Sequence, residues 1–521
     1  MFTDPKRAKV QDEIRRHDQA IFAHLLTPEL FVQAARLSGL PIIRSPLNLI
    51  NLVWLAVCAA RNPGLCFARI LGLSRNTLHD HEAFAPSALG QRLARPHQPR
   101  RPKVRHDPRR DAAEPVSEAA FAKARQRMPS AFWVALFVLL AEEFQRRYAE
   151  VVRWRRFRLL TIDGTDLLLP DWPALRQHFG TANNAGGRHG AQARLVLLQF
   201  PLARLPYAHV LGPLTVGEIR MARQLLQGLP ADALVLLDAG FLGYGLFWQI
   251  RHQEAFFCVR LRRHLNLRTI RQLGAATGSN DVLVEWTPKD SRGNWRKEGL
   301  PASITLRLLT YRAKGFRPLR LLTNVLDAAD VPYEQWWGLS VSEEGEVLFK
   351  GVYNLRWEIE ISYLELKVQQ RMERGLRSRT AEGIYYEVAG HLLHYLLVRW
   401  LMVEAAVAAQ VSPLRLSFTE ALREIQGQWP SAVVASDAWL EQTLRPRLWQ
   451  RLASHRAEER PGRTAPRGDK ARRADKRAKD AKRAKDAKRR PKKKKDEPRR
   501  WFGQGWDLAG PKVGPAAAPQ G

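Results

Sequence analysis

Residues 233–238, Ala-Leu-Val-Leu-Leu-Asp, constrain the fold more than any other stretch of the chain. Five consecutive apolar side chains without polar alternation read as a short strand buried on both faces. Such a strand needs helices on each side of its sheet, so the chain is α/β in character. The carboxylate that follows, Asp238, is costly at the end of a buried strand unless it has a partner or a cation. A second segment is built alike: Phe-Arg-Leu-Leu-Thr-Ile-Asp-Gly, 157–164, carries Asp163 in an apolar strand followed by Gly164. For either aspartate alone, a strand-terminal turn or helix cap is the plainer reading.

Around these strands the pattern alternates. Residues 8–90 repeat apolar side chains at three- and four-residue intervals, as helices do. Within them, 63–81 resembles a helix–turn–helix, with Gly72-Leu73-Ser74 as the turn. Further helix is expected over 116–152. Two strands are expected over 192–212, a helix over 216–230, and a helix then a strand up to 262. Residues 263–330 alternate apolar and polar more strictly and read as mostly β. A long helix is expected from about 346 to 372, with more helix over 380–409 and 417–450.

Charge narrows the function. The 521 residues carry 84 Lys+Arg against 51 Asp+Glu, a formal net charge of +33. That balance favours a polyanionic partner, most often nucleic acid, over a small acidic substrate. Residues 461–500 hold +14 of it, with Arg-Ala-Lys-Asp-Ala-Lys repeated at 477–482 and 483–488. That tail is too poor in apolar residues to fold alone and is expected to be disordered, serving either solubility or a sequence-independent grip on DNA. The Pro/Arg-rich stretch 92–110 reads as a linker. Three cysteines exclude a disulfide scaffold, and no P-loop or dinucleotide fingerprint is present. The most apolar run, 392–409, is interrupted by Arg399 and Glu404, so no membrane partner is expected.

The segment 351–367, Gly-Val-Tyr-Asn-Leu-Arg-Trp-Glu-Ile-Glu-Ile-Ser-Tyr-Leu-Glu-Leu-Lys, supplies a third element. At about 100° per residue, Tyr353, Arg356, Glu360 and Lys367 share an arc of about 60°. Glu358 and Glu365 fall off that stripe. Read alone, the stripe is equally a solvated face with an Arg–Glu i,i+4 pair. The spacing Tyr-x2-Arg-x3-Glu-x6-Lys, however, resembles without gaps the signature of the insertion sequence 4 family of bacterial DDE transposases. Leu-Thr-Ile-Asp-Gly-Thr-Asp around Asp163 is similar to that family's first acidic motif, and Leu-Leu-Asp-Ala-Gly-Phe around Asp238 to its second. Ala239 departs from the basic residue the family often carries there. The resemblance covers about residues 155–405.

It implies a ribonuclease H-like mixed sheet flanked by helices and interrupted by a mostly β insertion subdomain. It implies that Asp163, Asp238 and Glu360 are catalytic and hold two Mg2+ ions, for which Mn2+ may substitute, since hard cations take oxygen ligands. Tyr353, Arg356 and Lys367 would contact DNA phosphates, and Trp286 or Trp295 in the insert would stack a flipped base. The expected organisation is a helical DNA-binding region over 1–115 ending in the linker 92–115, then a first core part over 116–262. The β insert follows at 263–335, a second core part at 336–410, C-terminal helices at 411–455 and the basic tail at 456–521. The implied protein is a cytoplasmic, nucleoid-associated DNA transposase that pairs its own terminal inverted repeats as a homodimer and joins them to target DNA. It needs no nucleotide. Two rival readings are a ribonuclease H-like nuclease without strand transfer and an inactive, domesticated DNA-binding protein.

Overall fold

The computed structural model describes residues 21–40, 47–73, 117–262, 270–287, 299–312, 318–341, 347–434 and 437–457, apart from positions 23, 48 and 185–186 within them. The chain divides into two units, 1–464 and 465–521, and the described residues all belong to the first. The basic tail from 458 on, the linker 92–110, residues 74–81 of the helix–turn–helix reading and Trp295 lie outside the described residues. Gly72 and Leu73, expected in a turn, close the helix Phe67–Leu73.

An eleven-stranded mixed sheet organises the first unit. Its strands are β1 (Arg153–Trp154), β2 (Phe157–Leu168), β3 (Thr181–Asn184), β4 (Gly187–Phe200), β5 (Leu205–Pro213), β6 (Ala233–Leu237), β7 (Phe256–Arg260), β8 (Ile270–Gly278), β9 (Asp281–Trp286), β10 (Ile304–Tyr311) and β11 (Leu319–Thr323). Strands β2, β4 and β5 form an antiparallel meander. β6 pairs parallel with β2, and β7 parallel with β6. Beyond β7 the order is β11, β10, β9, β8, all antiparallel. The β-rich stretch after 262 therefore continues the same sheet through β11 against β7.

Alternation along the central strands shows the expected two-sided burial. Ala233, Val235 and Leu237 of β6 join one core cluster, while Leu234 and Leu236 join the other. The larger cluster lies under helices from both ends of the chain. At its centre is the helix α1 (Ala381–Ala408), buried along most of its length. By length and composition α1 would cross a bilayer, but 89% of its apolar window is buried inside the protein. The apolar helix Leu49–Arg61 crosses it where Gly390 leaves no side chain: a Cβ there would stand 2.7 Å from the Ala56 carbonyl oxygen. The Tyr386 hydroxyl of α1 donates to the Leu52 carbonyl. Ser130–Arg147, which starts after Pro129 without a side-chain cap, adds Phe137, Leu140 and Phe144 to the same core. His391 and His394 of α1 are buried there, and burial pushes both imidazoles down to about 3. They are core residues of an apolar helix.

The segment 346–372 is not one α-helix. Val347–Lys350 is a strand paired with Leu339–Val341, and the Gly351 amide continues that pairing to the Gly338 carbonyl. A 3₁₀ stretch, Val352–Trp357, follows, then the α-helix α2 (Glu358–Leu364), then a π-helical turn, Glu365–Gln369. The β pairing removes the first residues from the helix, and Arg371, left-handed at φ 58°, ends it. Gly390→Val would force the two crossed helices apart. It is expected to destabilise the fold by about 1–3 kcal/mol, the usual range for overpacking, read as a lower Tm by circular dichroism; an unchanged Tm would contradict this crossing.

Candidate active site

Strand register brings the two aspartates together. β2 and β6 pair in parallel, with Thr161 opposite Leu236. Two residues further along each strand stand Asp163 and Asp238, so the carboxylates leave adjacent strands at the same level. By alternation, Asp163 follows Phe157 and Leu159, and Asp238 follows Leu234 and Leu236, onto the face of the smaller core cluster. β6 ends at Leu237, and Asp238 caps the short turn Ala239–Phe241 by accepting the Gly240 amide. Asp238 is thus the cap that the plainer reading allowed. Past Asp163 β2 loses its parallel neighbour, and its residues 163–166 become partly or fully exposed.

The signature segment is stitched across both strand ends. The Tyr353 hydroxyl donates to the Leu237 carbonyl at 2.9 Å, one residue before Asp238. The Tyr363 hydroxyl donates to the Asp163 carbonyl at 2.6 Å. The Lys367 ammonium donates to the Asp166 carbonyl at 2.7 Å and to the Thr165 hydroxyl at 3.3 Å. Arg356 donates to Glu360 at 2.7 Å and stands 3.8 Å from an Asp163 oxygen. One guanidinium therefore lies between two of the three expected carboxylates.

Burial pushes the Asp163 carboxyl up to about 7, and the negative charges of Asp238 and Glu218 add to the rise against the Gly164 amide and Arg356. Burial outweighs the nearby Arg356 guanidinium in holding the carboxyl so high. The donor set is all oxygen and suits a hard divalent cation. The three carboxylates do not yet converge: among the described residues no group of three or more His, Cys, Asp or Glu is close enough to hold a metal ion. The fit is therefore one of chemistry and strand register, with Arg356 between Asp163 and Glu360.

Two expected roles meet a different environment. Tyr353 is buried with its hydroxyl committed to Leu237, so it anchors the backbone at Asp238 and is not turned towards a phosphate. Trp286 is 6% exposed, packed against Tyr244 and Phe247 in the core, and cannot receive a flipped base from that position. Trp357, beside Arg356, is 54% exposed and carries no signal in the sequence that singles it out. Asp166 and Asp171, the further acids near Asp163 in sequence, pair with Arg194 and Arg176.

Behind the site, a buried ionic cluster fixes α2. Arg204, left-handed at φ 50° in the turn between β4 and β5, donates to Glu358 at 2.7 and 2.9 Å and to Glu365 at 3.0 Å. Arg399 of α1, fully buried, also binds Glu365, as does the Tyr395 hydroxyl at 2.7 Å. Glu358 and Glu365 are the two acids that fell off the stripe.

Comparison with known proteins gives the family. Residues 154–397 match the family model described as a transposase DDE domain. The chain is 30% identical, over 330 residues, to the transposase InsG for insertion sequence element IS4 of Escherichia coli (strain K12), covering 61% of this chain and 70% of that one. The chain belongs to the DDE transposases of the insertion sequence 4 family. It is a metal-dependent DNA transposase. The chain is also 23% identical to a putative transposase of Sinorhizobium fredii, y4zB, over 58% of this chain and 76% of that protein. Against a solved synaptic complex of the piggyBac transposase with hairpin DNA the identity is 12% and the TM-score 0.29, over 59% of each chain.

Two expectations follow for this transposase. The folded Asp163 carboxyl keeps its proton up to about 7, whereas the unfolded one loses it near 3.8. The folded chain binds more protons between those values, so this group's contribution to stability falls as pH rises through that window. In EDTA, Asp163→Asn is expected to be more stable than wild type at pH 8, by about 1 kcal/mol for each pH unit of the window crossed, with the advantage vanishing near pH 4. Denaturant melts at the two pH values check it. Arg399→Ala leaves the buried Glu365 carboxylate with Arg204 and the Tyr395 hydroxyl, and is expected to cost roughly 3 kcal/mol, the low end for breaking a buried ion pair, seen in the same melts.

Proposed function

We propose that this transposase cuts its own terminal inverted repeats and joins them to target DNA by a cut-and-paste route. The observation that carries the reading is the shared level of Asp163 and Asp238 on adjacent parallel strands, with the Glu360 segment tied to both strand ends. A meander of three antiparallel strands followed by two parallel ones supports a ribonuclease H-like core, with β8–β11 as its insertion.

In this reading Asp163, Asp238 and Glu360 hold two divalent ions, Mg2+ or Mn2+. When bound, such ions neutralise charge on the attacking and leaving oxygens of an in-line phosphodiester exchange. The chain's own residues do the rest. Arg356 leaves the two acids for a DNA phosphate, which a guanidinium can bind bidentately. Lys367, already near the ends of β2, offers a point charge to the same backbone. Tyr353 and Tyr363 keep the two strand ends in place beneath them. Trp357 offers an exposed ring on which a displaced base can stack. Water first cuts one strand; the freed 3′-hydroxyl then attacks the opposite strand, releasing the flanking DNA and closing a hairpin, a second water reopens the hairpin, and the regenerated 3′-hydroxyl attacks the target. The helical region 1–115 would recognise the repeats, the basic tail would add sequence-independent grip on the nucleoid, and two copies would pair the ends.

The test is cleavage and joining of a labelled duplex bearing the element's own terminal repeat, with Mg2+ or EDTA. Wild type is expected to nick, form a hairpin and join the ends only with Mg2+. Glu360→Gln is expected to bind the duplex but lose roughly three orders of magnitude in nicking, the rate equivalent of several kcal/mol. Nicking without joining would leave a nuclease. Binding without nicking in wild type would leave a site-occupying DNA-binding protein.

A further inference from the structure

A cation stands level with the two aspartates, one strand further along the sheet. β7 pairs parallel with β6, with Leu237 opposite Val259. The next residues are Asp238 and Arg260, so Asp163, Asp238 and Arg260 stand side by side across three neighbouring parallel strands. Alternation also puts Arg260 on the face of the aspartates. Cys258, two residues earlier, belongs to the smaller core cluster, as does Leu321, the partner of Arg260 on β11. Arg260 itself is exposed, and its charge acts on the neighbouring Tyr353 hydroxyl.

The three side chains expected to meet phosphate are already engaged. Tyr353 gives its hydroxyl to the Leu237 carbonyl, and Arg356 pairs with Glu360. Lys367 is held by the Asp166 carbonyl, the Thr165 hydroxyl and Glu373. Arg260 differs: its guanidinium has no hydrogen bond and no ion pair among the described residues. Its backbone, by contrast, is fixed. β11 pairs with it through Leu321, and the Leu261 amide donates to the Arg320 carbonyl at 2.9 Å. Arg262 donates to the Ala239 and Gly240 carbonyls at 2.6 and 3.0 Å, in the turn that Asp238 caps. The end of β7 is thus tied to the loop bearing Asp238. A guanidinium level with Asp238 yet not paired with it is open to an outside anion, and a preorganised backbone lowers the cost of binding one.

We propose that Arg260 binds a phosphate of the DNA strand cut at Asp163 and Asp238, taking the contact expected of Tyr353. The inference rests on the proposed role of those two aspartates. Neighbouring strands lie about 5 Å apart, so Arg260 stands about 5 Å beyond the strand of Asp238 and about 10 Å beyond that of Asp163. Successive phosphates advance about 3.4 Å along the axis of a DNA strand, so the phosphate that Arg260 reaches lies within about three nucleotides of the cut. It is not the phosphate being broken. A guanidinium can hold it bidentately, which fixes the path of the strand across the ends of β6 and β7. Arg356 must leave Glu360 to bind DNA, whereas Arg260 gives up no partner.

The experiment is nicking, by the full-length protein in Mg2+, of a labelled duplex bearing the element's own terminal repeat. Single phosphates near the cut are replaced in turn by uncharged methylphosphonate. Arg260→Ala is expected to keep the wild-type circular dichroism spectrum and to nick about tenfold to a hundredfold more slowly, the rate equivalent of a hydrogen bond to a charged group. Arg260→Lys is expected to recover part of that loss. In wild type, a methylphosphonate at one position within about three nucleotides of the cut is expected to slow nicking by a similar factor. In Arg260→Ala the same methylphosphonate is expected to cost nothing more, while Tyr353→Phe keeps its full effect. An arginine with a merely structural role would leave every methylphosphonate effect unchanged. If Arg260→Ala nicks as wild type does, or is slowed further by every methylphosphonate as wild type is, Arg260 is not the phosphate contact. Loss of nicking in Glu360→Gln shows in either case that the acidic centre stands. If Glu360→Gln nicks as wild type does, the reading of the centre itself fails, and the Arg260 proposal with it.

Discussion

The ionic cluster of Arg204, Glu358, Glu365 and Arg399 is the constraint on which the active-site geometry depends. Its members are nearly or wholly withdrawn from water. Burying four charges is expensive, and their mutual attraction roughly offsets that expense without adding much stability. What the cluster does add is direction. Glu358 and Glu365 lie seven residues apart on one side of α2 and the π-helical turn, and two arginines from separate parts of the fold hold them. Arg204 reports the position of the β4–β5 turn, and Arg399 that of the long helix α1. The rotation of the segment bearing Glu360 is therefore set jointly by the sheet and the helical core. An apolar contact of the same size would allow it to roll; a two-sided charged clamp does not.

From that fixed rotation, the three tyrosine and lysine contacts to strand carbonyls follow. They bind the backbone of Leu237, Asp163 and Asp166, to which Lys367 adds the Thr165 hydroxyl and the Glu373 carboxylate. The site is thus anchored through atoms that substitution cannot remove, while the acids at the strand ends remain free to take other partners. Burial first, and then the neighbouring acids, raise the Asp163 carboxyl, and Arg356 between Asp163 and Glu360 offsets part of that rise. Stability is given up there, and the helical core under α1, with Trp400, Phe144 and Phe137 fully buried, is large enough to supply it.

Much of this was legible in the sequence because it depends on local patterns. The unbroken apolar run of β6 required burial on two faces, and residues 233–237 divide between the two core clusters as alternation demands. The signature spacing identified the segment, and its match to both acidic motifs identified the family. What was illegible depends on distant pairings. Arg399 looked only like an interruption in an apolar helix, and Glu358 and Glu365 only like acids off the stripe. An unpaired charge on an otherwise buried helix is itself a signal that an opposite charge exists, but not of which one. Trp286 sits in a β-rich insert that joins the main sheet, so its ring is core; spacing could not say so. Glu218 lies 55 positions from Asp163, and nothing but the register of β2 and β5 about β4 brings them together.

The helix arithmetic failed usefully. A uniform turn of about 100° per residue put Tyr353, Arg356, Glu360 and Lys367 on one face. The real segment winds tighter before Glu358 and looser after Leu364. Three residues per turn in the 3₁₀ stretch keep Tyr353 and Arg356 aligned, yet the tyrosine lies low enough to enter the core while the arginine reaches the carboxylates. The wider π-helical turn slows the rotation, so Glu365 faces its buried arginines and Lys367 still reaches the carbonyls of β2. A regular α-helix could hardly serve a buried clamp on one side and two strand ends on the other within fifteen residues. Conserving the pitch would break one of these contacts, so the irregular helix follows from what its side chains must touch.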